Sequence, residues 1–238
     1  FKEARNPENQ KGDTKAYILS RDEQSYSFDV VNLLLDHGVQ VYETTQDQRL
    51  PNTFDYWDAN EATRTIKEGS FVIPTEQPAH LFIHTLFRRQ LEIKDSVMYD
   101  MSTWTVPMAY NLDAYWSENV PSNLTRINQK ISLKGQLPQK ASYAYVMDWA
   151  QRYAPNALGD MLEAGFRVRT ASESFGFGGK TYSRGSVIVL VGRNLGHGDQ
   201  LHSKMEEIAL NNKVSIVPFN TGRMDTGIDL ASSDSNPL

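Results

Sequence analysis

Two short apolar runs, each introduced by glycine and serine, constrain the fold of this chain more than any other feature. The first is "GSFVIP", residues 69–74, and the second is "GSVIVL", residues 185–190. An apolar run of this length, bounded by turn residues, is typical of a strand that is covered on both faces. The sequence therefore predicts two equivalent core strands, one in each half of the chain.

The residues that precede these two runs also match, and they do so in the same order. "TKAYILS" at 14–20 corresponds to "SYAYVMD" at 142–148, and "DVVNLLLDHGVQVYET" at 29–44 corresponds to "NALGDMLEAGFRVRTA" at 156–171. Each half therefore reads as a strand, a helix that ends at a glycine, and a second strand. Such units usually form a right-handed parallel crossover, and the matched order and spacing indicate an internal duplication.

The duplication predicts an α/β protein of two Rossmann-like or flavodoxin-like lobes, with mostly parallel sheets flanked by helices. The predicted divisions are a polar lead-in (1–13), a first lobe (14–130), a linker (131–142), a second lobe (143–222) and a polar tail (223–238). Gly135 and Pro138 mark the linker. Because both ends are polar and the first residue is not Met, we expect the chain to be part of a longer polypeptide.

The composition excludes several classes of site and partner. The chain has no cysteine, which rules out disulfides, thiolate zinc ligands and a cysteine nucleophile. Its net charge of -5 comes from 24 basic and 29 acidic residues that are spread along the chain, so we expect no nucleic-acid partner. No apolar stretch approaches the roughly 20 residues of a membrane-spanning helix, so no membrane span is predicted.

Histidine is the first residue type to test for metal binding. His80 and His84 are four positions apart on a predicted helix, close enough to share one ion, and His202 and Glu206 repeat this spacing. The residues between the two histidines do not include the Glu of an H-E-x-x-H motif. The sequence favours a structural or surface role for both pairs over a metal site.

Two further segments resemble parts of known active sites. Ser172 and Ser174 are the nearest approach to a nucleophilic serine, but they lack the G-x-S-x-G turn, and Gly178 and Gly179 predict a hairpin turn after them. The segment "GRNLGHG", residues 192–198, follows a predicted strand and precedes a helix, where backbone amides can bind an anion. Its spacing is that of neither G-x-G-x-x-G nor the P-loop, so a plain connection is favoured.

The first strand-to-helix turn of each half is where open α/β sheets bind their ligands. Arg21 and Asp22 lie in the first of these turns, and Asp148 and Arg152 lie in the second. They are able to bind a polar ligand or to cap the following helices, and the second role is favoured. The residues therefore assign no catalytic, cofactor-binding or metal-binding position to this chain.

Two segments carry a resemblance to a known family. "GSFVIPTEQP" at 69–78 and "YDMSTWTVPMAYNL" at 99–112 resemble the region after the catalytic domain in large exported bacterial proteins of the zinc metallocarboxypeptidase (carboxypeptidase A-like) family. Trp104, Thr105 and Pro107 are the most specific part, and the resemblance extends from about Lys15 to Leu238. It implies that a peptidase domain precedes this region, and it is compatible with an amidotransferase-like domain after it.

The resemblance does not carry a catalytic site into this chain. The family binds zinc through an H-x-x-E motif and a distant histidine, and no histidine here is followed by Glu at the third position. An amidotransferase site would require cysteine, which is absent. The resemblance thus implies a non-catalytic accessory domain of a secreted or periplasmic zinc carboxypeptidase, with the zinc and the metallocarboxypeptidase activity in another part of the parent.

Two other function classes compete with this expectation. The first is a module that binds a peptide, sugar or nucleotide in the cleft between the two lobes. Aromatic side chains would then stack on the ligand, as Tyr56, Trp57, Tyr115 and Trp116 are able to do. The second is a free-standing hydrolase with a non-standard serine or aspartate site, for which Asp22 and Asp148 are the residues to test.

Overall fold

A computed structural model of the chain describes residues 13–21, 26–89, 105–137 and 139–238. The chain divides into two compact units, residues 1–132 (unit 1) and residues 133–238 (unit 2). Each unit has its own sheets and its own helices.

The described part of unit 1 contains seven strands and three helices. The strands are β1 (Ala16–Leu19), β2 (Tyr42–Thr44), β3 (Gln48–Asp55), β4 (Glu61–Ile66), β5 (Phe71–Pro74), β6 (Ala114–Ser117) and β7 (Leu124–Arg126). The helices are α1 (Tyr26–Asp36), α2 (His80–Phe87) and the short α3 (Val106–Ala109).

The described part of unit 2 contains seven strands and two α-helices. The strands are β8 (Ala144–Met147), β9 (Arg169–Ala171), β10 (Phe175–Phe177), β11 (Lys180–Tyr182), β12 (Val187–Leu190), β13 (Ile216–Phe219) and β14 (Ser235–Pro237). The helices are α4 (Ala154–Glu163) and α5 (Gln200–Asn212). Two 3-10 turns, Val191–Arg193 and Leu195–His197, connect β12 to α5.

The main sheets of both units are antiparallel. In unit 1 the strand order is β4-β3-β6-β1-β5-β2-β7, and in unit 2 it is β13-β8-β12-β9-β14, with β10 and β11 as a separate hairpin. All of the strand pairs described in these sheets are antiparallel. The prediction of two Rossmann-like or flavodoxin-like lobes with mostly parallel sheets was therefore wrong.

The error has a specific cause in the strand order. β1 and β2 do run in the same direction, because both are antiparallel to β5, but β5 lies between them. In unit 2, β12 separates β8 from β9 in the same way. An apolar run shows that a strand is covered on both faces, and this holds for interior strands of either orientation.

The core of each unit follows a βαββαβ order along the chain. In unit 1 the elements are β1, α1, β2, β5, α2 and β6, and the four strands are ordered β6-β1-β5-β2. In unit 2, β8, α4, β9, β12, α5 and β13 give the equivalent order β13-β8-β12-β9. This is the arrangement of ferredoxin-like domains, a fold that hosts many unrelated functions.

The register of the central strands is also repeated. Tyr17 of β1 lies opposite Ile73 of β5, and the equivalent Tyr145 of β8 lies opposite Val189 of β12. The pairings of β1 with β6 and of β8 with β13 share one register as well. The two units are therefore two copies of one strand-and-helix framework.

Both units add a β-hairpin between the second and third core strands. In unit 1, Leu50 of β3 and Ile66 of β4 pack on Ile18 and Val72, which lie in the two central strands. In unit 2, Phe175 and Tyr182 of the β10–β11 hairpin pack on the corresponding face of the sheet. In unit 1 the hairpin continues the sheet beyond β6 and its side chains contact this face, whereas in unit 2 the separate hairpin covers it.

The opposite face of the unit 2 sheet packs against the helices. Tyr145, Met147 and Val189 of the sheet share one core with Met161 of α4 and Met205 of α5. Burial of these side chains is the main favourable contribution to the stability of the unit. The sheet thus separates a helix-covered core from a hairpin-covered core.

The last residues of the chain and the segment before β8 belong to the packed structure of unit 2. Met224, Ile228 and Leu230 lie in the hairpin-covered core, and residues 235–237 form β14. Gln136 forms an isolated parallel bridge with Ser215. Pro138 of the predicted linker lies outside the described residues.

Candidate functional site

The first metal candidate lies on α2, against the central strand of unit 1. The Nδ1 atom of His84 is 3.0 Å from the hydroxyl oxygen of Tyr17. Burial lowers the pKa of His84, and repulsion from His80 and Arg88 lowers it further. Neutral His84 can accept a hydrogen bond from the Tyr17 hydroxyl, so this histidine ties α2 to β1.

His80, the other member of this pair, is 2% exposed. Its Nδ1 atom and the Nε2 atom of His84 are buried and have no hydrogen-bond partner among the described residues. Within the described ranges, no group of three or more His, Cys, Asp or Glu residues is placed to hold a metal ion. The structure therefore brings the two histidines to one helix but adds no further described ligand to them.

The second histidine candidate repeats the contact of the first. In unit 2 the Nδ1 atom of His202 is 3.2 Å from the hydroxyl oxygen of Tyr145, which also accepts a hydrogen bond from the Ala141 N–H at 3.2 Å. Glu206, the proposed companion of His202, is exposed on α5. The tyrosine–histidine contact is thus a repeated link between the central strand and the second long helix of each unit.

A buried amide that the sequence analysis missed holds the end of β5 in unit 1. The Oε1 atom of Gln77 accepts a hydrogen bond from the Gln40 N–H at 2.8 Å. Its Nε2 atom donates to the carbonyl of Gln40 at 3.1 Å and to that of Pro74 at 2.6 Å. Gln77 is 4% exposed, so all three bonds lie inside the unit.

Unit 2 has an equivalent amide in Asn194, which is 2% exposed. Its Oδ1 atom accepts a hydrogen bond from the Arg167 N–H at 2.8 Å. Its Nδ2 atom donates to the carbonyl of Arg167 at 3.2 Å and to that of Leu190 at 2.9 Å. We call Gln77 and Asn194 the clamp amides. Asparagine and glutamine are common on surfaces, so residue type alone did not reveal them.

The candidate residues of the first strand-to-helix turn of unit 2 are also engaged in the fold. The Oδ1 atom of Asp148 accepts hydrogen bonds from the Ser183 hydroxyl at 2.5 Å and from the Ala150 N–H at 3.1 Å. Asp148 thereby joins the turn after β8 to the turn before β12. The guanidinium carbon of Arg152 lies 5.5 Å from the ring centroid of its neighbour Tyr153.

The corresponding turn of unit 1 is described up to Arg21, and Asp22 lies outside the described residues. The guanidinium group of Arg21 is paired with the Glu43 carboxylate at 2.6 Å. The same guanidinium lies over the rings of Phe28 and Phe71. The structure thus places Arg21 in a packing and ion-pair role.

The serine candidates lie next to the hairpin of unit 2. The N–H of Ser172 donates to the carbonyl of Asp234, and Ser174 is exposed. Gly178 and Gly179 have φ values of 60° and 79° and connect β10 to β11, so the predicted hairpin turn is confirmed.

Three of the four candidate aromatic residues pack within unit 1. Tyr56 is fully buried and donates a hydrogen bond to the carbonyl of Phe87. Trp116 stacks on Phe54 with ring centroids 5.2 Å apart, and its neighbour Tyr115 lies under the guanidinium of Arg64. Trp57, the fourth, is 49% exposed.

The described residues that carry the family resemblance include β5 and α3. Thr105 immediately precedes α3, and Pro107 is buried within its first turn. The carbonyl of Pro107 accepts the N–H of Leu112 at 2.8 Å, which closes the turn after the helix. Trp104 lies outside the described residues.

A surface pocket of about 430 Å³ opens in unit 2, at the segment 192–198 that follows β12 and precedes α5. Two segments line this pocket. Gly165 and Arg167 follow α4, and the connection between β12 and α5 contributes Gly192, Arg193, Asn194, Leu195, Gly196 and His197. We call it the unit 2 pocket. It brings together two arginines, a histidine and three glycines, and one of its walls is the clamp amide Asn194.

A second pocket, of about 310 Å³, lies in unit 1. It is formed where the end of α1 meets the chain after β7: Leu35, Asp36, Gly38, Val39, Arg126, Ile127, Asn128 and Lys130. Lys130 is paired with the Asp36 carboxylate at 2.8 Å, so its charge is neutralised within the pocket. The unit 2 pocket is therefore the more strongly basic of the two.

Comparison with known proteins leaves these features as the basis for a functional proposal. No protein-family model matches the chain, and neither a curated protein nor a solved structure shows significant similarity to it. In the part of the chain that the structure describes, no helix has both the length and the apolar character needed to cross a bilayer.

Proposed function

We propose that this chain is a non-catalytic accessory module of a secreted or periplasmic zinc carboxypeptidase-like protein. In that role it supports the peptidase domain of the parent polypeptide or presents substrate to it. The peptidase domain and an amidotransferase-like domain are its proposed partners within the parent. The zinc ion and the metallocarboxypeptidase activity belong to the parent's peptidase domain.

One observation supports an architectural role more than any other. Several of the polar candidate residues make contacts inside their own unit, and the tyrosine–histidine contact occurs in both units. His84 and His202 each contact the tyrosine of a central strand. Asp148 likewise accepts hydrogen bonds from two turns of its own unit. Side chains that are engaged in this way stabilise the fold and are poorly placed to react with a substrate.

The proposal is tested by two measurements on the purified chain, bound zinc and release of C-terminal amino acids from peptides. We expect zinc far below one ion per chain and no release above the rate without protein. As a positive control, a polypeptide extended upstream to include the proposed peptidase domain should bind zinc and release amino acids. Stoichiometric zinc or turnover by the 238-residue chain itself would defeat the proposal.

A second function, ligand binding, is favoured by the unit 2 pocket. At about 430 Å³ the pocket falls within the range of small-molecule sites, and it lies within one unit. A thermal-shift screen of small molecules tests this function, since a ligand at 100 times its dissociation constant stabilises a protein by about 2.7 kcal/mol. We expect ligands that raise the unfolding temperature to lose this effect when the pocket lining is changed.

A further inference from the structure

The two arginines of the unit 2 pocket are free to bind a ligand. Within the described residues, the guanidinium groups of Arg167 and Arg193 make no ion pair and no hydrogen bond, and both side chains are exposed. The hydrogen bonds of Arg167 involve its backbone, through the clamp amide Asn194. Arg169 and Arg21 differ in this respect, because the first donates a hydrogen bond to Ser235 and the second is paired with Glu43.

The backbone that carries these two arginines is held in place by the buried clamp. Asn194 bonds both the N–H and the carbonyl of Arg167, and it directly follows Arg193 in the chain. The Cα positions of the two arginines are thereby fixed relative to one another. A site whose framework is ordered before binding loses less conformational entropy when the ligand arrives.

The duplication allows the positions of Arg167 and Arg193 to be compared with the equivalent positions in unit 1. Gln40 stands in unit 1 where Arg167 stands in unit 2, because each is bonded by the clamp amide of its own unit. Glu76 precedes Gln77 as Arg193 precedes Asn194. The framework therefore forms with an amide and a carboxylate at these places, so the two positive charges of unit 2 are not required for folding.

The chemistry of the lining selects the class of ligand. Arginine presents a planar set of donors that matches the oxygens of a carboxylate or a phosphate. None of the described lining residues carries a negative charge. Leu195 is 73% exposed and offers an apolar contact beside the two charges. His197 is held with its ring 4.8 Å from that of Phe166 and adds a polar ring to the same wall.

We infer that the unit 2 pocket binds a small organic oxyanion, with its carboxylate or phosphate between Arg167 and Arg193 and its apolar body on Leu195. This inference rests on the ligand-binding function proposed above. The shared chemistry is an oxygen-bearing anionic head on a compact apolar group. A free carboxylate and a phosphate monoester are the two sources that the test must separate.

The test titrates the intact, 15N-labelled chain with three probes and follows its amide resonances. The probes are N-acetyl-leucine, its C-terminal amide, and phenyl phosphate. We expect saturable shifts at Gly192, Arg193 and Gly196 with one or both anions and none with the neutral amide. Saturation by N-acetyl-leucine alone assigns a carboxylate ligand, and saturation by phenyl phosphate alone assigns a phosphate.

Matched double variants separate a site from general electrostatics. Arg167→Gln with Arg193→Glu changes two exposed residues to those of the equivalent places in unit 1. Arg184→Gln with Arg223→Glu makes the same change in net charge at two exposed arginines of unit 2 outside the pocket lining. We expect the first variant to bind the anion at least about tenfold more weakly, and the second to bind within about twofold of the original chain.

Three outcomes would overturn the inference. They are equal binding of N-acetyl-leucine and its amide, equal loss of affinity in the two double variants, and no saturable shift with either anion. If a neutral ligand found by the thermal-shift screen still perturbs the pocket amides, the ligand-binding function survives and the oxyanion inference alone fails. If no ligand of any charge perturbs the pocket, both fail.

Discussion

Gln77 and Asn194 make the same three hydrogen bonds in the two units. Each side chain accepts the N–H of the residue two places after the glycine that ends the first helix, and donates to the carbonyl of that residue. Each also donates to the carbonyl of the last residue of the third core strand. The duplicated framework therefore includes its buried polar contacts as well as its strands.

Removal of either clamp amide should destabilise the chain. We predict that Gln77→Leu and Asn194→Leu each lower the free energy of unfolding by about 1–3 kcal/mol, because buried backbone groups lose their partners. Gln46→Leu, at an exposed position, is the control and should stay within about 0.5 kcal/mol of the original chain. Urea denaturation measures all three, and a clamp variant as stable as the control would contradict this role.

Two glycines of unit 2 should respond to alanine in opposite directions. A Cβ atom at Gly135 would lie 1.8 Å from the carbonyl oxygen of Ala209, which belongs to the backbone of α5 and cannot move freely. Gly159, inside α4, has open space around it. We predict that Gly135→Ala lowers the free energy of unfolding by about 1–3 kcal/mol. Gly159→Ala should raise it by about 0.5–1 kcal/mol. Thermal unfolding of the two variants checks the signs.

The half-buried position of His84 predicts a loss of stability in acid. Burial lowers the pKa of His84 below its ordinary value of 6.5, so the unfolded chain binds a proton more readily than the folded chain. The free energy of unfolding should therefore fall as the pH is lowered below about 6.5. His84→Gln should show a smaller fall, because it removes the group whose pKa is lowered. Identical pH profiles for the original chain and His84→Gln would refute the prediction.

The partner of His84 predicts the opposite dependence in alkali. Burial raises the pKa of Tyr17 to about 12 from an ordinary value of 10.0, so the unfolded chain loses this proton first. Stability should decline as the pH rises from about 10 towards about 12. Tyr17→Phe should lose part of this decline together with the hydrogen bond to His84. Denaturation curves at several alkaline pH values, compared between the two proteins, measure the difference.

The sequence predicts which residues form strands and helices better than it predicts how the strands are paired. The apolar runs at 71–74 and 187–190 and the glycines after α1 and α4 are local signals, and the structure contains the corresponding strands and helix ends. The insertion of β5 between β1 and β2 depends on contacts between distant residues, which a periodic pattern does not contain. Parallel and antiparallel core strands therefore have the same hydrophobic pattern in the sequence.

The unit 2 pocket also depends on a contact between residues that are distant in sequence. The segment 192–198 is a local signal for anion binding, because it follows a strand and precedes a helix. Arg167, which completes the charged pair, is distant in sequence and reaches the pocket through the bonds of its backbone to Asn194. A search for local motifs does not detect such a pair. Comparison of the two repeats offers a signal, because Gln40 and Glu76 change to arginine between them.

Interstrand nuclear Overhauser effects in the labelled chain test the central claim most directly. If both units are antiparallel copies of one framework, Tyr17 will show cross-strand contacts to Ile73 and Trp116, and Tyr145 will show the equivalent contacts to Val189 and Pro218. Direct contacts between β1 and β2, or between β8 and β9, would indicate parallel central pairs and would contradict the account.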